Sequence, residues 1–133
     1  MTESSGSPPP TRHSRPLTDS FRDAFRGVAF VLRTQRNSWI HLLAASLVTA
    51  AGLALGLTLP EWAVLALAVT LVLVAEMVNT ALETLLDALS PEYHPLVGAA
   101  KDVAAGAVLL SSVGAVIVGL LVLGVRLVHL FGW

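Results

Sequence analysis

Between Trp39 and Leu59 the chain carries no acidic or basic side chain except His41. About 20 apolar residues suffice to cross a bilayer, and in lipid the backbone groups of such a run must be satisfied internally, which makes it a helix. Two more apolar stretches follow. One starts at Trp62 and meets no charge before Glu76; the other runs from Leu96 to about Leu123, charged only at Lys101 and Asp102 in its first two turns. Only 13% of the chain is charged and 55% is hydrophobic, whereas soluble domains are about 25% charged, so there is too little polar surface to clothe a soluble core. The expected fold is an all-α integral membrane protein, with three transmembrane helices near residues 39–59, 62–89 and 96–123 and an N-terminal amphipathic surface helix.

The segments around these spans give the topology. Ser, Pro and Arg dominate residues 1–16, which predicts a disordered tail rather than a signal peptide, since no apolar run is present there. Residues 17–133 are then one membrane domain. Leu17, Phe21, Phe25, Val28 and Leu32 repeat at helical spacing on one face, with Arg22, Arg26 and Arg33 opposite. That pattern fits a helix lying in the membrane interface, with Ser20 and Asp23 as the start of a capping box. Thr58 to Glu61 reads as a short turn, and Trp39 and Trp62 as interfacial anchors. Pro91 ends the second span and opens a polar loop at residues 90–95, while Arg126 to Trp133 reads as a second interfacial stub. Six of the eight basic residues precede Trp39. By the positive-inside bias the N-terminus is cytoplasmic, as is the 90–95 loop, and the C-terminus lies outside.

The second span carries the chemistry. With Glu76 at zero on a helical wheel, Asn79, Glu83 and Asp87 fall at about 300°, 340° and 20°. One ionisable residue at the centre of a span costs about 2.5–3.5 kcal/mol. Three carboxylates and an amide on one face repel one another unless a cation sits among them. Hard oxygen ligands of this kind suit Mg²⁺, which commonly arrives with nucleotide phosphates, and Lys101 adds a positive charge able to contact phosphate. No Walker loop or dinucleotide fingerprint occurs, so any nucleotide is held unconventionally. The absence of cysteine excludes thiolate chemistry, and no nucleic-acid partner is expected. Two other classes can also use such residues: a small proton-coupled exporter built around an intramembrane Glu, and a non-catalytic assembly subunit in which the stripe is polar glue.

The stripe E-x-x-N-x-x-x-E-x-x-x-D from Glu76 to Asp87, then Glu92-Tyr93-His94-Pro95, then Ala100-Lys101-Asp102, resembles the prokaryotic diacylglycerol kinase family, which includes the undecaprenol kinases. The likeness takes in Ser20-Phe21, Ala24, Gly27, Arg36-Asn37 and Ile40-His41, and spans roughly residues 18–125. It implies a homotrimer in the bacterial inner membrane that phosphorylates a lipid alcohol with ATP and Mg²⁺. It implies Glu76 as the general base and Glu83 as a Mg²⁺ ligand. Asn79, Asp87, His94, Lys101 and Asp102 become substrate- or nucleotide-binding positions. Where the family often has a further metal-binding Glu this chain has Gln35, a weaker ligand, and Ala99 stands where some members carry a basic residue. The acceptor is diacylglycerol or undecaprenol, with His94-Pro95 and Ala104-Ala105-Gly106 leaning toward the undecaprenol type.

Overall fold

The computed structural model describes residues 16–90, 92, 94–130 and 132; the expectations for the tail at residues 1–15, and for Pro91 and Tyr93 in the polar loop, lie outside them. The chain folds as α1 (Leu17–Thr34), α2 (Arg36–Leu55), α3 (Leu59–Leu89) and α4 (Pro95–Leu130). The last three, of 20, 31 and 36 residues, are long and apolar enough to cross a membrane. At about 1.5 Å per residue they measure about 30, 46 and 54 Å, against a hydrocarbon core of about 30 Å. α2 just matches that thickness, while α3 and α4 overhang it.

Each boundary has a local cause, and several differ from the sequence expectation. α1 begins directly behind Pro16 without a side-chain cap. Ser20 and Asp23 therefore lie inside the helix, where Asp19 pairs with Arg22 at 3.0 Å and Asp23 with Arg26 at 3.4 Å. Gln35 alone, in extended conformation, separates α1 from α2. The Trp39 indole N–H reaches back across this joint to the Leu32 carbonyl at 2.8 Å. α2 ends at Gly56, whose φ of 62° is the left-handed geometry that glycine adopts without strain. Thr58 to Glu61 is the start of α3 rather than a free turn. The Glu61 carboxylate accepts the Thr58 backbone N–H at 2.6 Å, which completes a capping box, and Pro60 occupies the first turn. Of the expected C-terminal stub, residues 126–130 are not separate either, since α4 runs unbroken through Arg126 to Leu130, while Phe131 and Trp133 lie outside the described residues.

α3 is the axis of the assembly. Its buried residues are Leu65, Val72, Glu76, Asn79 and Thr80, so the interior is apolar at one end and polar at the other. α2 packs closely against it at Gly52, where an added Cβ would lie 2.8 Å from the Trp62 ring. α4 lies antiparallel to α3. Ion pairs at both ends, Glu61 with Arg126 and Asp87 with Lys101, fix the register. The α4 glycines make no close helix contact within this chain: a Cβ at Gly98, Gly106, Gly114 or Gly119 would meet nothing within 4 Å. The apolar row of α1 also faces outward, with Leu17 78% and Phe25 73% exposed.

Candidate functional site

The stripe on α3 descends from solvent into the protein. Asp87 is exposed, Glu83 is half-buried, and Asn79 and Glu76 are 9% and 3% exposed. Seven residues separate Glu83 from Glu76, which is about 10 Å along the helix axis. Four helical segments supply the surroundings. The α1–α2 joint brings Gln35 to the stripe, where its Nε2 donates to Glu83 Oε2 at 3.3 Å. Asn79, one turn below, donates through Nδ2 to the other carboxylate oxygen at 3.1 Å. Glu83 is thus held from two sides, with one donor on each oxygen and lone pairs to spare. At the solvent end Lys101 Nζ donates to Asp87 Oδ1.

Within this cluster Asn79 Oδ1 is buried and has no hydrogen-bond partner. An orphaned carbonyl oxygen beside an under-used carboxylate is a hard donor set of the kind Mg²⁺ accepts. Among the described residues no group of three His, Asp or Glu side chains converges on a metal position. Mg²⁺, though, commonly keeps only one or two carboxylates and completes its shell with water and phosphate. Gln35 acts here as a hydrogen-bond donor that orients Glu83; ligation by its oxygen would require the amide to turn over.

Glu76 has a different setting. Its backbone carbonyl accepts the Thr80 hydroxyl at 2.9 Å, while among the described residues no side chain donates to its carboxylate. It faces the same way as the Glu83 cluster but sits deeper. His94 and Asp102 stand apart from the network. His94 caps α4, its Nδ1 accepting the Leu96 N–H at 3.2 Å, and Asp102 is exposed beside Lys101. Sequence reasoning missed the buried hydroxyls around the stripe. Ser38 is 2% exposed with an unpartnered Oγ, and so is Thr80, whose hydroxyl is bonded. The available signal was a hydroxyl set into an apolar span at the depth of the stripe. It also missed the partnership of Glu61 with Arg126, 65 residues apart.

These features define a class, helical membrane proteins whose central span buries a carboxylate below a half-buried cluster of oxygen donors. A model of the prokaryotic diacylglycerol kinase family matches residues 22–123. A diacylglycerol kinase of Synechocystis is 48% identical over 104 residues, covering 77% of this chain and 59% of the relative. An undecaprenol kinase of Bacillus subtilis is 40% identical over 103 residues, covering 77% of this chain and 84% of that protein. A diacylglycerol kinase of Escherichia coli K12 shares 45% identity over 49 residues, 37% of this chain and 40% of its own. The chain belongs to the prokaryotic diacylglycerol kinase family, whose relatives named here are lipid kinases.

Proposed function

We propose that this protein transfers the γ-phosphoryl group of ATP to the primary hydroxyl of a membrane lipid, diacylglycerol or undecaprenol. The reaction takes place at the cytoplasmic face of the bacterial inner membrane. The observation that carries this proposal is vertical order on one helix face: a carboxylate 3% exposed at Glu76, about 10 Å below a half-buried carboxylate held by two amides at Glu83. A lipid hydroxyl reaches such a site from the hydrocarbon and a nucleotide from the water.

Each residue then has a task that suits its position. Mg²⁺ held by Glu83, with an amide oxygen of Asn79 or Gln35, would neutralise charge on the phosphate oxygens, since phosphoryl transfer depends on positioning and charge compensation. Lys101 exchanges Asp87 for a phosphate oxygen, and Asp102 and His94 line the nucleotide side at the start of α4. Glu76 accepts the proton of the lipid hydroxyl. As that oxygen bonds to the γ-phosphorus, the bridging P–O bond to ADP breaks, and the proton stays on Glu76 until water removes it. The outward apolar row of α1 supports its placement in the membrane interface, with the arginines among lipid headgroups and the N-terminus cytoplasmic. The open space beside Gly98, Gly106 and Gly114 of α4 supports assembly with neighbouring copies as a homotrimer.

Purified protein incubated with labelled ATP and each alcohol tests the proposal. Magnesium-dependent label in lipid phosphate is expected. Unlabelled lipid, together with proton-driven efflux in vesicles that lack ATP, would instead identify an exporter.

A further inference from the structure

Glu83 and Asp87 lie four residues apart on α3, the spacing that makes side chains neighbours on a helix surface, with Cβ atoms about 5–6 Å apart. Two carboxylates so placed can close on one divalent cation. In this structure they are kept from acting together. Glu83 is engaged by the Gln35 and Asn79 amides at 3.3 and 3.1 Å, and Asp87 by the Lys101 ammonium. Among the described residues no third His, Asp or Glu joins them to hold a metal.

The partner that Lys101 takes is informative. Lys101 is six residues into α4, and Glu83 is six residues from the end of α3. Each therefore stands about 9 Å from its helix end at the joining turn. The lysine backbone is at a depth close to that of Glu83, yet its ammonium pairs with Asp87, whose side chain is 66% exposed. A pair that exposed is weakly held and readily exchanged. Its effect on an incoming cation is larger. The ammonium neutralises Asp87 and sets a positive charge about one turn from Glu83, and both oppose the entry of a divalent ion. What is left to such an ion is one carboxylate, with an amide N–H on each of its oxygens.

Resting on the kinase activity proposed above, we infer that the Lys101–Asp87 pair is a latch on the metal position. Without nucleotide it holds Glu83 in a state of low affinity for free Mg²⁺. A triphosphate carries more negative charge than one carboxylate and draws Lys101 away. Asp87 is then released to turn toward Glu83 as a second oxygen ligand. One or two carboxylates completed by phosphate oxygens are the arrangement Mg²⁺ favours at nucleotide sites. Gln35 contributes an N–H here rather than a carboxylate, so Asp87 is the nearest second carboxylate along the stripe. Metal and nucleotide thereby strengthen each other's binding, and by linkage the effect is reciprocal.

Mn²⁺, a paramagnetic ion suited to the same oxygen ligands, tests the latch. Its binding is measured by electron paramagnetic resonance on the full chain in phosphatidylcholine vesicles without nucleotide. Lys101→Met should bind Mn²⁺ at least about tenfold more tightly than the native protein, within the range of ordinary coupling between sites. Lys101→Arg keeps the charge and can still pair with Asp87, so it should stay near the native affinity. Adding Asp87→Asn or Glu83→Gln to Lys101→Met should abolish the gain, whereas adding Asp102→Asn should leave it intact. Lys101→Gln serves the same comparison if the methionine variant does not assemble. Unchanged affinity on loss of the ammonium would overturn the inference. So would a gain that survives Asp87→Asn, because the lysine would then act only as a repelling charge. The measurement needs no turnover, so it is separable from the kinase activity. A native protein that phosphorylates no lipid but shows this Mn²⁺ pattern keeps the latch and loses the kinase; lipid phosphorylation without the pattern does the reverse.

Discussion

The two ends of the α3–α4 pair are both closed by an ion pair, and the pairs differ in kind. At one end Arg126 grips Glu61 through Nε at 3.0 Å and Nη2 at 2.8 Å. Glu61 also caps its own helix, and both side chains are 26% exposed. At the other end a single ammonium touches one oxygen of Asp87, whose side chain is 66% exposed. The first pair is a planar fork on a carboxylate, with geometry that fixes both partners. The second is a point charge on a flexible stem facing water, the type of contact worth about 0–1 kcal/mol. A clamp belongs where nothing has to move, and an exchangeable contact belongs where a phosphate has to replace one partner.

Substitutions can break or sharpen this contrast. The largest effect is expected at Glu76: Glu76→Gln should lower turnover by at least about 100-fold, with helix content and oligomeric size retained. Turnover near the native value would remove Glu76 from the base role. Next, Glu83→Gln should raise the Mg²⁺ concentration for half-maximal activity by at least about tenfold, and an unchanged metal titration would count against ligation. Gln35→Glu should shift the same titration the other way, because it adds a carboxylate beside Glu83. At the opposite end the effect should fall on stability alone. Glu61→Gln or Arg126→Gln should lower the thermal midpoint by several degrees and leave kcat within about twofold, since neither residue approaches the stripe. Loss of activity without loss of stability would show that the clamp is no mere fastening. The smallest change is expected from Asp87→Asn, which should alter stability by no more than about 0.5 kcal/mol in denaturant unfolding.

The contrast also shows where the sequence was legible. Spans announce themselves by local composition, and a stripe with a period of three to four residues announces a face, so α2, α3 and the line from Glu76 to Asp87 could be read directly. Pairing between distant residues leaves no such trace. Arg126 reads as an interfacial basic residue near a chain end until α4 is seen to continue past it to meet Glu61. Gln35 reads as a departure from a family pattern until its amide is seen on Glu83. The hydroxyl of Ser112 is silent as well. Most Ser and Thr in spans bond to their own helix, and only three-dimensional structure shows that Ser38 and Ser112 do not.

Gln35 is the sole residue between α1 and α2, and it also touches Glu83. Adding or deleting a single residue at that joint would turn everything upstream by about 100°. Phe21 and Phe25 would swing out of their plane; if the bilayer held them there, the amide would be pulled off the carboxylate. The length of the joint is therefore under the same constraint as the side chains it serves, and chain lengthening there should be tolerated far less well than most point substitutions.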